Sequence, residues 1–477
     1  RDKGIVTFPT PLKRIAQEEG GAKVMANTAA IGAVAGVTNY DLSFIEKVIE
    51  ENFERKGNEI VENNKKVAEA GFEYVKGMNK DFEKSLKPKD DSPERMIIDG
   101  NQVFALGAIA GGCNFISAYP MTPSTSIFET LIKYSDEYGI VTKQTESELA
   151  AINMAIGASH VGARSLVSTS GGGFSLMTEA FGLAGMTETP LVLAEVQRPG
   201  PSTGLPTRTG QEDLGFVINA SQGEFPRIVM TPGTLTEYFK SGTEAFNLAE
   251  KYQLPVIVLS DQHLANSVRT IDIDDISLKK AKIDRGKLLD ENEIKDEGEY
   301  KRYKFTEDGI SPRTLPGYRN AVFTSTGNEH NEKGEISEDP DIRNKMTEKR
   351  MKKLEGARLE LENYFLYGDE EANVTFLGWG SSYGAIKEAV DLLNEKGHSI
   401  NFLHIKEAYP LNDKKLKKAL DKAGETVMIE GNHNAQMAQL IRQKTGVKID
   451  STITKYDGRP FSPRYIMKEY EKTTGGN

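Results

Sequence analysis

Between Met96 and about Thr270 the sequence repeatedly sets a short apolar run of strand length ahead of a longer segment with helical spacing. This alternation restricts the fold more than any other feature of the chain. Strand-like runs occur at Phe115–Ala118, Ile140–Lys143, Ala163–Ser168, Pro190–Val196, Arg227–Met230 and Pro255–Leu259. Runs joined this way return to the same sheet through crossover helices, which predicts an α/β fold with a doubly wound parallel sheet. In such sheets ligands meet the carboxyl ends of the strands. The residues that follow each run are therefore the ones to read for chemistry.

The chain has 477 residues, room for about three domains. Its 38% hydrophobic content and 45 glycines suit a globular α/β enzyme and exclude a disordered chain. A net charge of −10 argues against a broad nucleic-acid surface. The longest weakly polar run, Val24 to Val37, is too short to span a bilayer. No signal peptide is apparent, and the chain opens on Arg1 without a methionine, as a fragment would. The single cysteine, Cys113, lies in an apolar glycine-rich stretch and reads as a buried small residue. One cysteine rules out a disulfide framework or a four-cysteine cluster within this chain, and a reducing, cytoplasmic compartment is expected.

Residues 1–75 read as helices, with small apolar residues from Ala22 to Val37 and helical spacing from Leu42 to Phe53 and Val61 to Val75. The charged, proline-bearing stretch 76–95 reads as a linker. Residues 96–275 form the doubly wound domain, and 276–369 a polar connecting segment that ends in a helix rich in Lys, Arg and Glu, from Asp341 to Tyr364. The charges of that helix are expected to form a solvated face. A second α/β unit occupies 370–477, with strands at Val374–Gly378, Ser399–His404 and Thr426–Glu430.

After the first strand, Tyr119-Pro120-Met121-Thr122-Pro123-Ser124-Thr125 makes a strand-to-helix turn whose prolines fix the backbone. Its hydroxyls and amides face a helix N-terminus that can hold a carboxylate or an oxyanion. A plain proline-rich turn with a Ser/Thr cap is the competing reading. After the second strand, Glu148 begins a helix of small residues. It is either a capping glutamate that complements the helix dipole or a buried carboxylate that handles a proton. Ser168-Thr169-Ser170-Gly171-Gly172-Gly173 follows the third strand without the Lys-Ser/Thr that completes a P-loop, and signals only close approach of a ligand or a backbone. After the fourth strand, Glu195 to Gly204 forms a rigid Pro/Gly loop whose Arg198, Ser202 and Thr203 suit carboxylate recognition, with Arg208 nearby.

YPMTPST from Tyr119, the run from Glu146 to Ala158, STSGGGFSLM from Ser168 and QRPGPSTGLPT from Gln197 occur in order and at natural spacing. Together they resemble the α subunit of the 2-oxoacid:ferredoxin oxidoreductases, of the archaeal type in which a γ part is fused ahead of α. Ile429-Glu430-Gly431-Asn432 with Gln436, and Lys455 to Phe461, are similar to that family's transketolase C-terminal-like domain. Residues 1–75 resemble the end of the γ domain, most of which is missing.

The resemblance implies a thiamine-diphosphate pyrimidine-binding domain at 96–275. It also implies the reaction of a 2-oxoacid, coenzyme A and oxidised ferredoxin to acyl-CoA, carbon dioxide and reduced ferredoxin. Matched to the family motif, Glu148 contacts the aminopyrimidine, with Pro120 and Ser124 beside the cofactor. Thr122 and Arg198 bind the substrate's carboxylate and keto oxygen, aided by Ser202 and Thr203, and Arg208 assists or replaces Arg198. The chain lacks a Gly-Asp-Gly followed by Asn for magnesium and diphosphate, and it lacks a cysteine set for a [4Fe-4S] cluster. Both are expected on a β subunit, so the active site is expected between two chains. A transketolase or dehydrogenase E1 component would share the glutamate but would need no ferredoxin.

Overall fold

Small residues decide the architecture of the N-terminal part of the chain. The computed structural model describes residues 5–80, 82, 84–88, 92–294 and 300–474, and the chain divides into two compact units, 1–93 and 94–477. In the first unit, helices Leu12–Gly20, Ala26–Val37, Leu42–Phe53 and Asn58–Lys76 follow one another. The second and fourth pack backbone against backbone. A Cβ on Gly32 would stand 1.9 Å from the Ala68 carbonyl oxygen, and one on Gly71 would stand 2.2 Å from that of Ala29. Thr28 donates to Asn64 across the same seam at 2.8 Å. Of the expected linker, residues 81, 83 and 89–91 lie outside those described, and 82, 84–88 and 92–94 have no regular structure.

The second unit carries the strands β1 (Arg95–Ile98), β2 (Phe115–Ala118), β3 (Val141–Gln144), β4 (Ser165–Thr169), β5 (Leu191–Gln197), β6 (Ile228–Met230) and β7 (Pro255–Asp261). They are followed by β8 (Arg269–Asp272), β9 (Tyr364–Tyr367), β10 (Val374–Trp379), β11 (Ile400–Ile405), β12 (Glu407–Tyr409), β13 (Glu425–Glu430) and β14 (Ser451–Thr454). The main sheet has the order β12-β6-β7-β5-β4-β2-β3, parallel except for β12, and β1 pairs separately with β8. Strands β4, β5 and β7 are buried throughout, as sheets covered by helices on both faces require. The chain runs from β2 out to the edge at β3 and then returns to the other side of β2 with β4. The strand order therefore reverses between β2 and β4, and a crevice opens above their carboxyl ends.

A second, five-stranded sheet of order β14-β13-β10-β11-β9 forms the C-terminal domain. One apolar cluster joins it to the main sheet, with Val167, Leu193 and Leu259 on one side and Leu377, Trp379 and Met428 on the other. Strand β12 belongs to the C-terminal stretch by sequence but extends the edge of the main sheet at β6.

The charged helix spans Pro340–Glu360 and has the expected solvated face, with Lys345, Glu348, Lys352 and Glu355 exposed, but it also carries charge on a buried stripe. Lys349, Arg350 and Lys353 are buried in line with Met346, Leu354 and Ala357. Lys349 meets Glu188 at 2.6 Å, Lys353 pairs with the same carboxylate, and Arg350 grips Glu329 through both terminal nitrogens at 2.9 and 2.8 Å. The polar stretch before this helix supplies Glu329 and Arg302, and Glu188 comes from the main domain. The charges of these three residues are neutralised inside the protein, so water is not needed to solvate them. Tyr364, expected at the end of the helix, opens β9 instead.

Among the described residues, no helix is long and apolar enough to cross a membrane.

Candidate active site

The turn after β2, the two helix N-termini that follow β3 and β4, and the loop after β5 converge at the crevice. The turn reaches helix Thr125–Lys133 through Ser124, whose hydroxyl donates to the Met121 carbonyl at 2.8 Å. Ser124 thus closes the turn and does not cap the helix. Thr122 and Pro120 are exposed on its outer side. Arg198, half-buried at the end of β5, donates from Nη1 to the Thr122 carbonyl oxygen at 2.7 Å. The two residues expected to bind the substrate are therefore in direct contact.

Glu148 opens helix Glu148–His160. Ser147 performs the capping, with its hydroxyl accepting from the Ala150 amide at 3.2 Å. Glu148 is only 4% exposed, and its carboxylate makes no hydrogen bond or ion pair among the described residues. A surface cap would be solvated, and a buried carboxylate without a donor is costly. The geometry favours a group left open for a ligand.

The glycines after β4 provide the clearance. Helix Gly171–Met186 starts directly over acidic side chains: a Cβ on Gly173 would lie 2.9 Å from Glu148 Oε1 and 2.1 Å from Thr169 Oγ1. One on Gly171 would lie 2.4 Å from Asp213 Oδ2. Thr169 in turn touches Met121 Sδ at 3.9 Å, which links the Glu148 side of the crevice to the turn that carries Thr122. Ser168 and Ser170 are buried with hydroxyls that have no partner among the described residues.

The loop from Gln197 to Asp213 is held at both ends. The Gly200 amide donates to Glu212 at 3.0 Å. Gly204, at φ +51°, brings its Cα so near the Pro199 carbonyl that a Cβ would stand 1.8 Å from the oxygen, a position only glycine fills. Gln211 ties the loop to the C-terminal domain: it exchanges backbone and side-chain hydrogen bonds with Gly431 at 2.8 and 2.7 Å and donates to the Trp379 carbonyl at 2.9 Å. Ser202 and Thr203 are exposed at the tip. Arg208 is also exposed and lies against Gly458 of the C-terminal domain, apart from the Arg198–Thr122 contact.

Two acidic residues were given no role by the sequence: Glu195, read as the start of the loop but lying within β5, and Asp213. Glu195, on β5, is fully buried with neither oxygen partnered among the described residues, and Asp213 adjoins it. A carboxylate inside an otherwise apolar central strand was the available signal.

Three family descriptions match the chain in turn. "Pyruvate ferredoxin/flavodoxin oxidoreductase" matches residues 1–74, "Pyruvate flavodoxin/ferredoxin oxidoreductase, thiamine diP-bdg" matches 106–349, and "Pyruvate:ferredoxin oxidoreductase core domain II" matches 372–466. The alpha subunit of 2-oxoacid:ferredoxin oxidoreductase 1 from Sulfurisphaera tokodaii is 41% identical over 439 residues, covering 89% of this chain and 67% of that protein. The alpha subunit of 2-oxoacid:ferredoxin oxidoreductase 2 from Aeropyrum pernix is 36% identical, covering 91% of this chain and 70% of that protein. The 2-oxoglutarate synthase subunit KorA of Methanothermobacter thermautotrophicus is 32% identical over 78% of this chain and 97% of its own length. A solved 2-oxoglutarate:ferredoxin oxidoreductase from Magnetococcus marinus, with 2-oxoglutarate, coenzyme A and succinyl-CoA bound, superposes with a TM-score of 0.93 at 33% identity. The match covers 98% of this chain and 81% of that one. The chain belongs to the 2-oxoacid:ferredoxin oxidoreductase family, among its alpha subunits.

Proposed function

We propose that this chain is the alpha component of an enzyme that converts a 2-oxoacid and coenzyme A to an acyl-CoA and carbon dioxide, with the electrons passed to ferredoxin. One observation carries the reading: an arginine–threonine contact and a buried carboxylate without a donor meet at the strand-order reversal of the main sheet. Family membership displaces the transketolase or E1 alternative.

The residues fit the pyrimidine half of thiamine diphosphate. Glu148 needs a donor that the described residues do not supply, and Gly173 keeps the space before it clear. When bound, that cofactor supplies the electron sink for decarboxylation. Glu148 would hold a proton at the ring nitrogen and so favour the reactive tautomer, with Pro120 and Ser124 shaping the adjoining turn. Arg198 would bind the substrate carboxylate, and Thr122 would contact the keto oxygen. Ser202 and Thr203 would line the rim. Arg208, turned toward Gly458, is the reserve partner.

The diphosphate, its magnesium ion and the [4Fe-4S] cluster are assigned to a β subunit, because this chain has one cysteine and no matching diphosphate motif. Relatives named as subunits support this division. The domain reading remains 1–75, 76–95, 96–275, 276–369 and 370–477, and the compartment is read as the reducing cytoplasm. The test is reconstitution. With its β subunit the chain is expected to reduce ferredoxin or a dye when given a 2-oxoacid and coenzyme A. Alone it is expected to be colourless and inactive. Robust turnover by the isolated chain would overturn the assignment.

A further inference from the structure

Glu195 lies near the end of β5, in register with Thr169 of β4 and Leu259 of β7. Strand alternation puts it on the face of Leu191 and Leu193, which belong to the apolar cluster shared with the C-terminal domain. It is fully buried, and neither oxygen receives a hydrogen bond from a described residue. Its side-chain neighbour is another acid, Asp213, whose Oδ2 also lacks a donor. Asp213 is fixed from behind, because its amide donates to Gln197 Oε1 at 3.1 Å. Gly171 leaves the room above it.

Two carboxylates in contact, without a donor for either among the described residues, resist ionising together near neutral pH, whereas one proton between them makes a strong hydrogen bond. The charged groups around the pair come from several elements. Arg198 and Glu212 share its loop, Glu148 stands across the glycine turn, and Asp261 ends the neighbouring β7. The first turn of helix Gly171–Met186 contributes none. Asp261 is already satisfied by Thr209 and by the His263 and Leu264 amides. Burial pushes both acids upward. Asp213 is raised to about 6, since burial and Glu212 outweigh Glu195 and Arg198. Glu195, more deeply buried and facing Asp213, is raised well above the usual carboxylate range.

We propose that Glu195 and Asp213 share one proton, held on Glu195, and that the single negative charge left on Asp213 positions Arg198 for the carboxylate of the 2-oxoacid. The positioning half rests on the function proposed above. The shared proton does not. Loss of that proton at alkaline pH leaves two negative charges beside Arg198, which draw the guanidinium inward and repel the substrate, so KM rises.

The test uses the complex assembled with its β subunit and infrared difference spectra at neutral pH. The wild type is expected to show a protonated-carboxyl C=O band that Glu195→Gln removes and Asp213→Asn retains. Absence of that band from the difference between wild type and Glu195→Gln overturns the shared proton. In kinetics, Asp213→Asn is expected to raise KM for the 2-oxoacid roughly tenfold, or about 1.4 kcal/mol, with a smaller change in kcat. Glu195→Gln is expected to abolish the alkaline rise in KM. An Asp213→Asn enzyme with wild-type KM overturns the positioning role. Because the infrared band is independent of which arginine binds substrate, failure of the Arg198 assignment is seen separately, as a mild effect of Arg198→Ala with the band intact.

Discussion

Strand β5 has a buried glutamate at each end, and the protein treats the two in opposite ways. Glu188, three residues ahead of the strand, receives Lys349 at 2.6 and 2.8 Å, and Lys353 pairs with it as well. Burial alone would raise its carboxyl, but the two lysines and Arg302 outweigh that and hold it well below the usual range. Glu195, toward the far end, has no donor among the described residues, and burial with Asp213 pushes it upward. Glu148, across the crevice, likewise makes no hydrogen bond or ion pair among the described residues. At the amino end of the strand buried charge is neutralised and joins the charged helix to the sheet. At the carboxyl end polar groups are left unmatched, as a surface reserved for ligand and proton chemistry leaves them.

The sharpest way to break this contrast is to neutralise Glu148. Glu148→Gln in the assembled enzyme is expected to lower turnover by ~10²–10⁴, the scale of a proton-handling group. Its iron–sulfur content and thermal stability should remain those of the wild type. Wild-type turnover would return Glu148 to a structural role and move the contrast to Glu195 alone.

The same change at the other end should reverse the pattern. Glu188→Gln leaves Lys349 and Lys353 buried without their anion, and breaking a buried pair this way costs about 3–5 kcal/mol. Urea denaturation of the purified chain should report that loss. Residual activity per folded molecule should be near normal, since Glu188 lies at the end of the strand away from the crevice. A stability unchanged within error would show that the lysines discharge when their partner is lost. Lys353, which burial already lowers to about 7, would be the first to do so.

A smaller effect separates the two arginines of the substrate loop. Arg198→Ala is expected to raise KM for the 2-oxoacid by one to two decades, or about 1.5–3 kcal/mol for a charge-assisted bond. Arg198→Lys should recover only part, because an ammonium lacks the guanidinium fork. Arg208→Ala should change KM little, given its place against Gly458. Steady-state kinetics on the three variants decides the matter, and the reverse order would exchange the two assignments.

Much of the crevice was legible because strand runs and turn residues act locally. The runs at Phe115–Ala118 and Pro255–Leu259 became β2 and β7, and the Thr122 and Arg198 loops followed strands as expected. Pairings across long sequence distances were not legible. The Lys349–Glu188 contact joins residues 161 apart, so a helix that reads as charged all round gave no sign of its buried stripe. Strand β12 consists of three residues and is defined by a partner, β6, that lies far earlier in the chain. Glu195 was visible in the sequence, but its meaning depends on Asp213, which a loop returns to it. The N-terminal helices were legible for the opposite reason: runs of Ala and Gly permit few packings other than close ones.

The finest test concerns how the charged helix is fastened. Arg350 holds both oxygens of Glu329, and a lysine there keeps the charge but loses the fork, so Arg350→Lys is expected to cost about 1 kcal/mol. Acid should erase that difference. Burial raises the Glu329 carboxyl, but Arg350 and Arg343 outweigh it and bring it down to about 2. A carboxyl lowered in the folded state contributes stability that is present above its unfolded value, near 4.3, and is lost as pH falls toward the folded one. Denaturation curves of wild type and Arg350→Lys should therefore differ at neutral pH and converge between about pH 4 and pH 2. A gap that stays constant down to acid would mean that Arg350 stabilises the helix through packing of its stem, and that ion pairing contributes little at this end of the molecule.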